Sequence, residues 1–476
     1  MLSKKKNLNT FFKANSIAII GASTVPNKPG FEVVRNILAN DYPGKIYPVN
    51  PKGGEILGMK FYPTIESLPD GIDLAVIILP AESCPQALVN CTRRGIKNFV
   101  ISAGGFAEVN ESRAQIQQNL LQIIKETGVR VLGPNTSGHI STPHHLTSTF
   151  FPLGKVRRGN ISFVAQTGNF ATHTLRYILT AEHFGVARVI GLGNKIDIDE
   201  SDALEFLGED PETKAILMYL ESIKRPGCFL KAAREITRIK PVIVLKGATS
   251  ESGKMAAVAH TAAMAQEDRI VKGLLRQAGI VQVFEYTNLL LASKALSMLP
   301  LPQGNRVSFL APSGAMLVVL SDLCTRLGLE IPELTPETIK RLQSASLPFI
   351  RIRNPIDISA LIAAKGFEAG YRNGMEAVLK DPNIDSVVSI LRLAEGTGIS
   401  SFDFLYDIAK KYPEKPVIIS FSGDKKYMDA CKERLEPLGI ATFPEIEQPF
   451  EVLSILTKCR YAMGRPPGAI YDRMIL

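Results

Sequence analysis

The sequence lacks the features that would point to a membrane or a signal peptide. No apolar run reaches the roughly 18 residues needed to cross a bilayer. Lys4-Lys5-Lys6 leads into polar sequence rather than into the apolar part of a signal peptide. With 45% hydrophobic and 21% charged residues, the composition is that of a soluble globular protein. We therefore expect a cytoplasmic protein without a membrane partner.

The sequence also lacks a long basic tract and a cysteine pair at metal-ligand spacing. The net charge of +9 is spread among interspersed acidic and basic residues, which argues against nucleic acid as a partner. Cations beside glycine-rich turns favour small phosphorylated metabolites instead. The six cysteines are scattered, so we expect reduced, mostly buried thiols and no metal site.

Short runs rich in Ile and Val alternate with longer helical stretches, a pattern typical of parallel sheets wrapped by crossover helices. The length of 476 residues suggests about three domains. We predict an α/β protein with three consecutive doubly wound domains, at residues 1–136, 159–298 and 304–476, with a polar connection at 137–158. The predicted strands are 16–20, 45–49, 74–79, 98–101, 129–132, 161–164, 187–190, 215–220, 241–245, 281–283, 306–310, 386–390 and 416–420.

Turn residues after the strands of the first domain are candidates for ligand binding. Gly21-Ala22-Ser23 follows the first strand, but the G-x-G-x-x-G fingerprint of dinucleotide-binding domains is absent. After the second strand, Lys52 lies where a ribose-binding carboxylate would be expected, so a nucleotide with an extra phosphate, such as coenzyme A, fits better than NAD. An exposed turn lysine is the alternative. The candidate cofactor-binding residues are Gly21, Ala22, Ser23, Val49, Asn50, Lys52, Pro80, Ala81, Ser102, Ala103, Gly104 and Asn135.

The second and third domains open alike, with Gln166-Thr167-Gly168 after one strand and Ser313-Gly314 after the other. A hydroxylated residue before glycine at a strand-to-helix turn caps the helix and presents its amides to an anion. Either turn alone could be only a helix cap. Because the turn occurs twice in register, as in an internal repeat of one fold, an anion-binding site at this turn is favoured.

His260 is the residue at which we expect the chemistry. It stands with Thr261 among small residues, which predict the start of a helix with backbone N–H groups free for phosphoryl oxygens. A neutral imidazole also has a nucleophilic nitrogen near pH 7. The alternative is a hydrogen-bonded core histidine. Solvated or capping positions are expected for the other histidines, which are His139, His144, His145, His173 and His183.

Taken together, the motifs resemble those of a known family over about residues 10 to 460. They are Gly21-Ala22-Ser23, Pro48-Val49-Asn50-Pro51-Lys52, Ser102-Ala103-Gly104-Gly105-Phe106-Ala107-Glu108, Gly133-Pro134-Asn135, Gly193-Asn194-Lys195, Tyr219-Leu220-Glu221, Ala259-His260-Thr261 and Asn354-Pro355-Ile356-Asp357. In this order they resemble the α subunit of ADP-forming acyl-CoA synthetases, relatives of the succinyl-CoA synthetase α chain. The resemblance implies a Rossmann-like CoA-binding domain followed by two flavodoxin-like ligase domains.

The resemblance also implies an activity and residue roles. Such ligases interconvert acyl-CoA, ADP and phosphate with a carboxylic acid, CoA and ATP through an acyl phosphate and a phosphohistidine. By resemblance, His260 is the phosphorylated nucleophile, Glu221 holds its second ring nitrogen, and Gln166, Thr167, Gly168 and Thr261 surround the phosphate. Two departures, Ala262 where glycine is common and Asn169 after the phosphate turn, put rate or substrate preference in doubt.

No Walker A sequence is present, and the chain after residue 460 is too short to supply ATP-grasp domains. The resemblance therefore implies that ADP or ATP and Mg²⁺ bind to a separate ATP-grasp β subunit, in an α2β2 assembly, while coenzyme A and phosphate are substrates bound by this chain. Three alternatives stay open: a non-catalytic CoA-binding regulatory protein, a nicotinamide oxidoreductase and a scaffolding protein.

Overall fold

Three parallel β-sheets dominate the computed structural model, which describes residues 8–261, 266–395 and 402–464. They fall into two compact units. The first unit comprises the described residues of Met1–Ala181 and Gly185–Phe284, and contains two of the sheets. The second comprises Glu182–Phe184 and the described residues of Glu285–Leu476. The predicted α/β class with parallel, helix-connected sheets is confirmed.

The first unit contains the strands and helices that form the candidate site. Its strands are β1 Ser16–Ile20, β2 Lys45–Val49, β3 Glu55–Ile56, β4 Met59–Lys60, β5 Leu74–Ile77, β6 Asn98–Ile101, β7 Arg130–Leu132, β8 His139–Ser141, β9 Leu146–Thr147, β10 Arg158–Ala165, β11 Val186–Gly191, β12 Ala215–Leu220, β13 Val242–Lys246 and β14 Val281–Val283. Its helices are α1 Asn9–Lys13, α2 Pro29–Ala39, α3 Cys84–Arg93, α4 Glu111–Thr127, α5 Gly168–Ala181, α6 Glu200–Glu209, α7 Pro226–Ile236, α8 Glu251–Thr261 and α9 Asp268–Ala278.

The first sheet has the order β2-β1-β5-β6-β7, and all neighbouring strands are parallel. Apart from their first residues, its strands are largely apolar, because both faces are covered. In β1, Ile17 and Ile19 enter one core cluster and Ala18 and Ile20 enter another. The chain adds β2 on one side of β1 and the later strands, starting with β5, on the other side. Such a switch point opens a crevice at the carboxyl ends of the strands.

The second sheet has the order β14-β13-β12-β10-β11-β8-β9, with its switch point between β10 and β12. Five of its strands are parallel, while β8 and β9 join antiparallel beside β11. These two short strands lie in the segment predicted as a polar connection. One core cluster contains residues of both sheets, such as Val76 from β5 and Met218 from β12, so the two sheets pack as one unit.

The third sheet, in the second unit, has the order β16-β15-β17-β18-β19 and is parallel. Its strands are β15 Val307–Ala311, β16 Ile356–Asp357, β17 Ser386–Leu393, β18 Val417–Gly423 and β19 Thr442–Phe443. The helices of this unit are α10 Tyr286–Met298, α11 Gly314–Arg326, α12 Pro336–Ala345, α13 Ser359–Lys365, α14 Phe367–Lys380, α15 Asp403–Lys411, α16 Lys425–Leu435 and α17 Gln448–Gly464.

The second and third sheets start their first crossover helices in the same way. Helix α5 begins at Gly168, directly after Thr167, and α11 begins at Gly314, directly after Ser313. The predicted repeat of a hydroxylated residue before a glycine at the strand-to-helix turn is therefore confirmed, but the prediction that its side chain caps the helix is wrong for Ser313, which makes no capping hydrogen bond. Within the described ranges, no helix is both long enough and apolar enough to span a membrane.

Candidate functional site

A cavity of about 350 Å³ opens at the carboxyl ends of β1, β5 and β6, at the switch point of the first sheet. Ligands of open α/β sheets bind in this position. The cavity brings together half of the predicted cofactor-binding residues. It is lined by Gly21, Ser23, Lys28, Pro29, Gly30, Ile78, Leu79, Pro80, Ser102, Ala103, Gly104 and Phe150.

Two glycines allow the start of α2 to approach the first strand. Gly21 has φ +96°, and a Cβ there would lie 2.3 Å from the carbonyl oxygen of Ile78. A Cβ on Gly30 would lie 2.1 Å from the carbonyl oxygen of Gly21. Because neither position has room for a side chain, the amino end of α2 sits directly over the turn. Pro29 has no N–H, and the N–H groups of Phe31 and Glu32 already donate to the carbonyl of Lys28, so it is the positive end of the helix dipole that suits a phosphate here.

The remaining predicted residues of the first domain play other parts. Ala22, Val49 and Ala81 are buried and do not line the cavity. The Asn50 side chain donates to the carbonyl of Ala22 at 2.8 Å, so it braces the turn after β1. Lys52 is exposed on the turn after β2 and is not among the lining residues.

Lys28, which the sequence reasoning missed, is the lysine that lines this cavity. It is exposed and immediately precedes the first turn of α2. The signal available in the sequence was its place before Pro29-Gly30, since proline is favoured in the first turn of a helix. A cation at this point adds to the attraction of the helix end for an anion.

A second cavity, of about 110 Å³, lies at the carboxyl end of β10 and the start of α5. It contains Gln166, Thr167 and Gly168, which were predicted to bind phosphate, and Asn135, which was predicted to bind the cofactor. The full lining is Ser102, Asn135, Thr136, Ser137, Phe150, Phe151, Gln166, Thr167, Gly168, Gly193 and Asn194. Ser102 and Phe150 line both cavities, so the two are neighbours.

Ser102 occupies the junction of the two cavities. Its Oγ is buried and has no hydrogen-bond partner among the residues that the structure describes. A buried hydroxyl without a partner loses hydrogen bonds to water and gains nothing in return. A polar ligand atom at the junction would satisfy it, and a thioester or phosphate oxygen has the required acceptor character.

Glu108 and Asn194 join the loops on the two sides of the junction. One oxygen of Glu108 accepts from the backbone N–H of Gly105 at 2.6 Å and of Phe106 at 3.1 Å, and the other accepts from Nδ2 of Asn194 at 2.7 Å. Burial alone would raise the pKa of Glu108, but these donors outweigh it and leave the pKa below its usual range. The loop after β6 is thereby fixed against the loop after β11.

Gln166 organises the polar floor of the second cavity. Its Oε1 accepts from the backbone N–H groups of Glu221 and Ser222, both at 2.9 Å, and from Nζ of Lys195 at 3.1 Å. Lys195 is buried and also forms an ion pair with the buried Glu200 at 3.0 Å. Gln166 thus positions the segment that bears Glu221, a role that the phosphate assignment from the sequence did not include.

Glu221 lies directly after β12 and is buried. The Tyr219 hydroxyl donates to its Oε1 at 3.2 Å, and burial raises the pKa of that hydroxyl. Lys246, at the end of β13, donates to the backbone carbonyls of Glu221 at 2.7 Å and of Gly247. Burial lowers the pKa of Lys246 to about 8. A carboxylate and a cation of weakened basicity therefore stand together at the switch point of the second sheet.

The prediction that His260 begins a helix is wrong. His260 lies well inside α8, which starts nine residues earlier along the chain, at Glu251. Ser250 sets that start, because its Oγ accepts from the N–H of Gly253 at 3.1 Å, as an N-cap does. The amides near His260 are therefore inside the helix rather than free. The side chains of His260 and Thr261, and all of Ala262, lie outside the described residues.

The other histidines do not all occupy solvated or capping positions. His139 is fully buried, with Nε2 against the carbonyl of Phe11 and Nδ1 at 2.7 Å from Ser148 Oγ, and burial lowers its pKa to about 4. That part of the prediction is wrong because β8 joins the second sheet and carries His139 inside. His145 does cap a short 3₁₀ turn, with φ +54°. His183 faces Glu433 and Glu436 in the second unit.

Phe150 and Phe151 were missed because they follow β9 in the segment predicted to be a polar connection. Nothing in their local sequence pattern marks them as lining residues. They reach the cavities because β8 and β9, which precede them, pair antiparallel at the edge of the second sheet. For metals, the described chain contains no group of three or more His, Cys, Asp or Glu side chains arranged to hold an ion.

The fold places two neighbouring cavities at the switch points of two packed sheets, the position at which α/β proteins bind nucleotides and similar ligands. Family models match three successive parts of the chain. They are described as a CoA binding domain at residues 15–141, a succinyl-CoA ligase like flavodoxin domain at 158–296 and a ligase-CoA domain at 307–466.

Similar proteins identify the family. The chain is 33% identical over 460 residues to acetate–CoA ligase [ADP-forming] I subunit alpha of Pyrococcus furiosus, covering 95% of this chain and 97% of that one. It is 35% identical to acetate–CoA ligase [ADP-forming] II of Archaeoglobus fulgidus, covering 96% of this chain and 68% of that longer protein. The structure of the dinucleotide forming acetyl-coenzyme A synthetase 1 of Ca. Korarchaeum cryptofilum, in complex with phosphate and ADP, matches with a TM-score of 0.88 and 30% identity, covering 96% and 98% of the two chains.

The chain belongs to the family of ADP-forming acyl-CoA synthetases, in the part that corresponds to the α subunit. The resemblance drawn from the sequence motifs is confirmed.

Proposed function

We propose that this chain is the α subunit of an ADP-forming acyl-CoA synthetase. The observation that carries the proposal is that the two cavities lie side by side and share Ser102 and Phe150 in their walls. A coenzyme A thioester in the larger cavity and a phosphate at the start of α5 would then meet at one point. Two such sites in contact are what the attack of phosphate on a thioester requires.

In the proposed reaction, a phosphate oxygen attacks the carbonyl carbon of the acyl-CoA. The carbon–sulfur bond breaks, the thiolate takes up a proton as CoA, and an acyl phosphate remains. The amides at the start of α5, near Thr167 and Gly168, would hold the phosphate oxygens. The start of α2 and Lys28 would hold a phosphate of CoA, with Gly21, Ser23, Pro80, Ala103 and Gly104 along its length.

In the second proposed step, a ring nitrogen of His260 attacks the phosphorus of the acyl phosphate, and the carboxylate leaves. Glu221 is proposed to accept a hydrogen bond from the other ring nitrogen, which fixes the tautomer and balances the positive charge of the phosphohistidine. The support is that Glu221 is buried, is positioned by Gln166 and stands at the same switch point as the phosphate turn.

The phosphoryl group is then proposed to pass to ADP on a separate ATP-grasp β subunit, in an α2β2 assembly, with Mg²⁺ accompanying the nucleotide there. The support is that the chain spans nearly all of the Pyrococcus α subunit but about two thirds of the longer Archaeoglobus protein. We also propose a cytoplasmic location, in keeping with the six cysteines, which are all free.

Labelling with radioactive phosphate tests the proposal. Incubating the chain with acetyl-CoA and labelled phosphate should place acid-labile, base-stable label on His260, with release of CoA. His260→Asn should reduce the label to background. His145→Asn is the matched control, because His145 is a surface cap at φ +54° and asparagine tolerates that conformation. Label that survives in His260→Asn, or CoA binding without any label, would overturn the assignment; the latter result would favour the regulatory alternative.

A further inference from the structure

Two adjacent phenylalanines form one wall of the smaller cavity. The rings of Phe150 and Phe151 are stacked, with centroids 4.6 Å apart and an interplanar angle of 28°. Phe150 lines both cavities, whereas Phe151 lines the smaller one alone. The pair therefore stands between the two cavities, near Ser102, whose hydroxyl has no hydrogen-bond partner within the described part of the chain.

The backbone that bears these rings is held from two sides. Asn36 of α2, which is 1% exposed, donates from Nδ2 to the carbonyl of Thr149 at 2.9 Å and to that of Phe151 at 2.6 Å. Arg176 of α5 donates to the carbonyl of Pro152 at 2.8 Å. Helix α2 starts at the larger cavity and α5 starts at the smaller one, so the position of the wall is tied to both sites.

The ring of Phe151 is itself held in place. Besides its stack on Phe150, it meets the ring of His173 edge-on, with centroids 6.4 Å apart and an angle of 66°. Aromatic rings prefer such stacked and edge-on pairs, each of which adds to the stability of the arrangement. A ring fixed on two sides forms a rigid boundary rather than an adaptable one.

The lining of the smaller cavity has a polar part and an apolar part. Asn135, Ser137 and Thr167 offer amide and hydroxyl groups, while Phe150 and Phe151 are its large apolar side chains in the described lining. An apolar acyl tail is most stable against apolar surface, so the tail would face the rings and the carbonyl would face the polar groups. At about 110 Å³ the smaller cavity has about a third of the volume of the larger one, about 350 Å³, so it suits a short acyl group better than a long or aromatic tail.

We propose that the stacked pair Phe150–Phe151 is the acyl-selecting wall of this enzyme and restricts its substrate to short aliphatic acyl groups, of acetyl to butyryl size. The inference rests on the proposed function, because it assumes that the acyl end of the thioester enters the smaller cavity. Phe151 sets the depth of the cavity, and Phe150 sets its entrance. Aromatic or long-chain thioesters are excluded because the rings occupy the space that their tails would need.

Thioester binding to the full chain tests the inference without turnover. Free CoA, acetyl-CoA and phenylacetyl-CoA are titrated calorimetrically into the wild type, Phe151→Ala and Phe349→Ala. Phe349 is the matched control because it is 80% exposed in the second unit. In Phe151→Ala, the preference for acetyl-CoA over phenylacetyl-CoA should fall at least about tenfold, since a change of pocket volume alters such ratios by about 10–200-fold. The affinity for free CoA should stay within about twofold, and Phe349→Ala should match the wild type.

A second pair of variants separates volume from local damage. Phe151→Leu, which keeps an apolar side chain, should give an intermediate preference, and Phe151→Trp should weaken acetyl-CoA without weakening free CoA. If all three Phe151 variants keep the wild-type preference for acetyl-CoA over phenylacetyl-CoA and still bind CoA, the selecting role of the pair is wrong, while the proposed CoA site is unaffected. Equal loss of every ligand in Phe151→Ala and Phe151→Leu would also overturn it, because the ring would then support CoA itself. If the wild type binds neither CoA nor its thioesters, the proposed function fails as well.

Discussion

At the scale of single residues, the site depends on buried polar groups that hold its backbone in place. Gln166 and Lys246 both bind backbone groups of the segment after β12, one accepting from it and the other donating to it. Buried groups of this kind are stable only when paired, so each fixes its partner in one position. The orientation of Glu221 is therefore decided by its neighbours in the sheet.

Lys246 leads to a prediction about the pH dependence of stability. Burial lowers its pKa to about 8, whereas an unfolded lysine titrates near 10.4. Between these values the unfolded chain binds more protons, so stability rises with pH in this window. Relative to Lys246→Met, the free energy of unfolding of the wild type should increase by about 2–3 kcal/mol from pH 7 to pH 10.5, at about 1.4 kcal/mol per pKa unit. Urea denaturation of both proteins across this range measures the difference.

The control for this prediction is Lys60→Met, since Lys60 is exposed in β4. Its stability relative to the wild type should not vary with pH over the same range. A difference between wild type and Lys246→Met that is flat in pH would show that the Lys246 ammonium is well solvated or fully compensated, which is contrary to its burial.

At the scale of helices and strands, long apolar runs were predictable and short strands were not. The strands β1 and β2 have the bounds that the sequence predicts. The two-residue strands β9, β16 and β19 carry no detectable period, because their partners across the sheet define them. The predicted start of α8 was wrong, because the prediction followed the alanine-rich run around His260, whereas the helix begins at the Ser250 cap.

The same reasoning explains which parts of the candidate site the sequence could supply. Turn residues such as Gly21 and Gly168 are marked by their place after a strand. Phe150, Phe151 and Asn36 reach the site only through tertiary packing, and no local pattern distinguishes them from other core residues. Lys28 was present in the motif region, yet its cavity is evident only once α2 is placed over Gly21.

The close approach of α2 to β1 gives a prediction at this scale. In Gly30→Ala, the added Cβ would meet the carbonyl oxygen of Gly21 at 2.1 Å, so α2 must shift away from the turn. We expect a loss of stability of about 1–3 kcal/mol, as for other overpacked sites, and weaker binding of CoA. Thermal unfolding and calorimetric titration with CoA measure the two effects.

Gly273→Ala in α9 is the matched control, because nothing lies within 4 Å of a Cβ there. Alanine in an open helical position should stabilise the protein by about 0.5–1 kcal/mol and leave CoA binding unchanged. If both variants behaved alike, the approach of α2 to the turn would not be the constraint that the distances indicate.

At the scale of the whole molecule, the two sheets of the first unit bring two switch points together. The first sheet contributes the larger cavity, the second contributes the phosphate turn and Glu221, and Glu108 and Asn194 join the loops between them. The third sheet repeats the hydroxyl-glycine turn in the second unit. In the proposed function, the chain supplies the groups that make an acyl phosphate, while the acceptor of the phosphoryl group, ADP, is assigned to another chain.

This division predicts what the isolated chain can do. With acetyl-CoA and phosphate it should release CoA and take up a single phosphoryl group, and added ADP should yield no ATP. Adding an ATP-grasp β subunit of the same family should restore ATP formation, measured by luciferase, because the phosphoryl group can then reach the nucleotide. His260→Asn should abolish ATP formation in the mixture, while Gly273→Ala should support it fully. ATP made by the isolated chain would contradict the division, since it would require a nucleotide site within the chain itself.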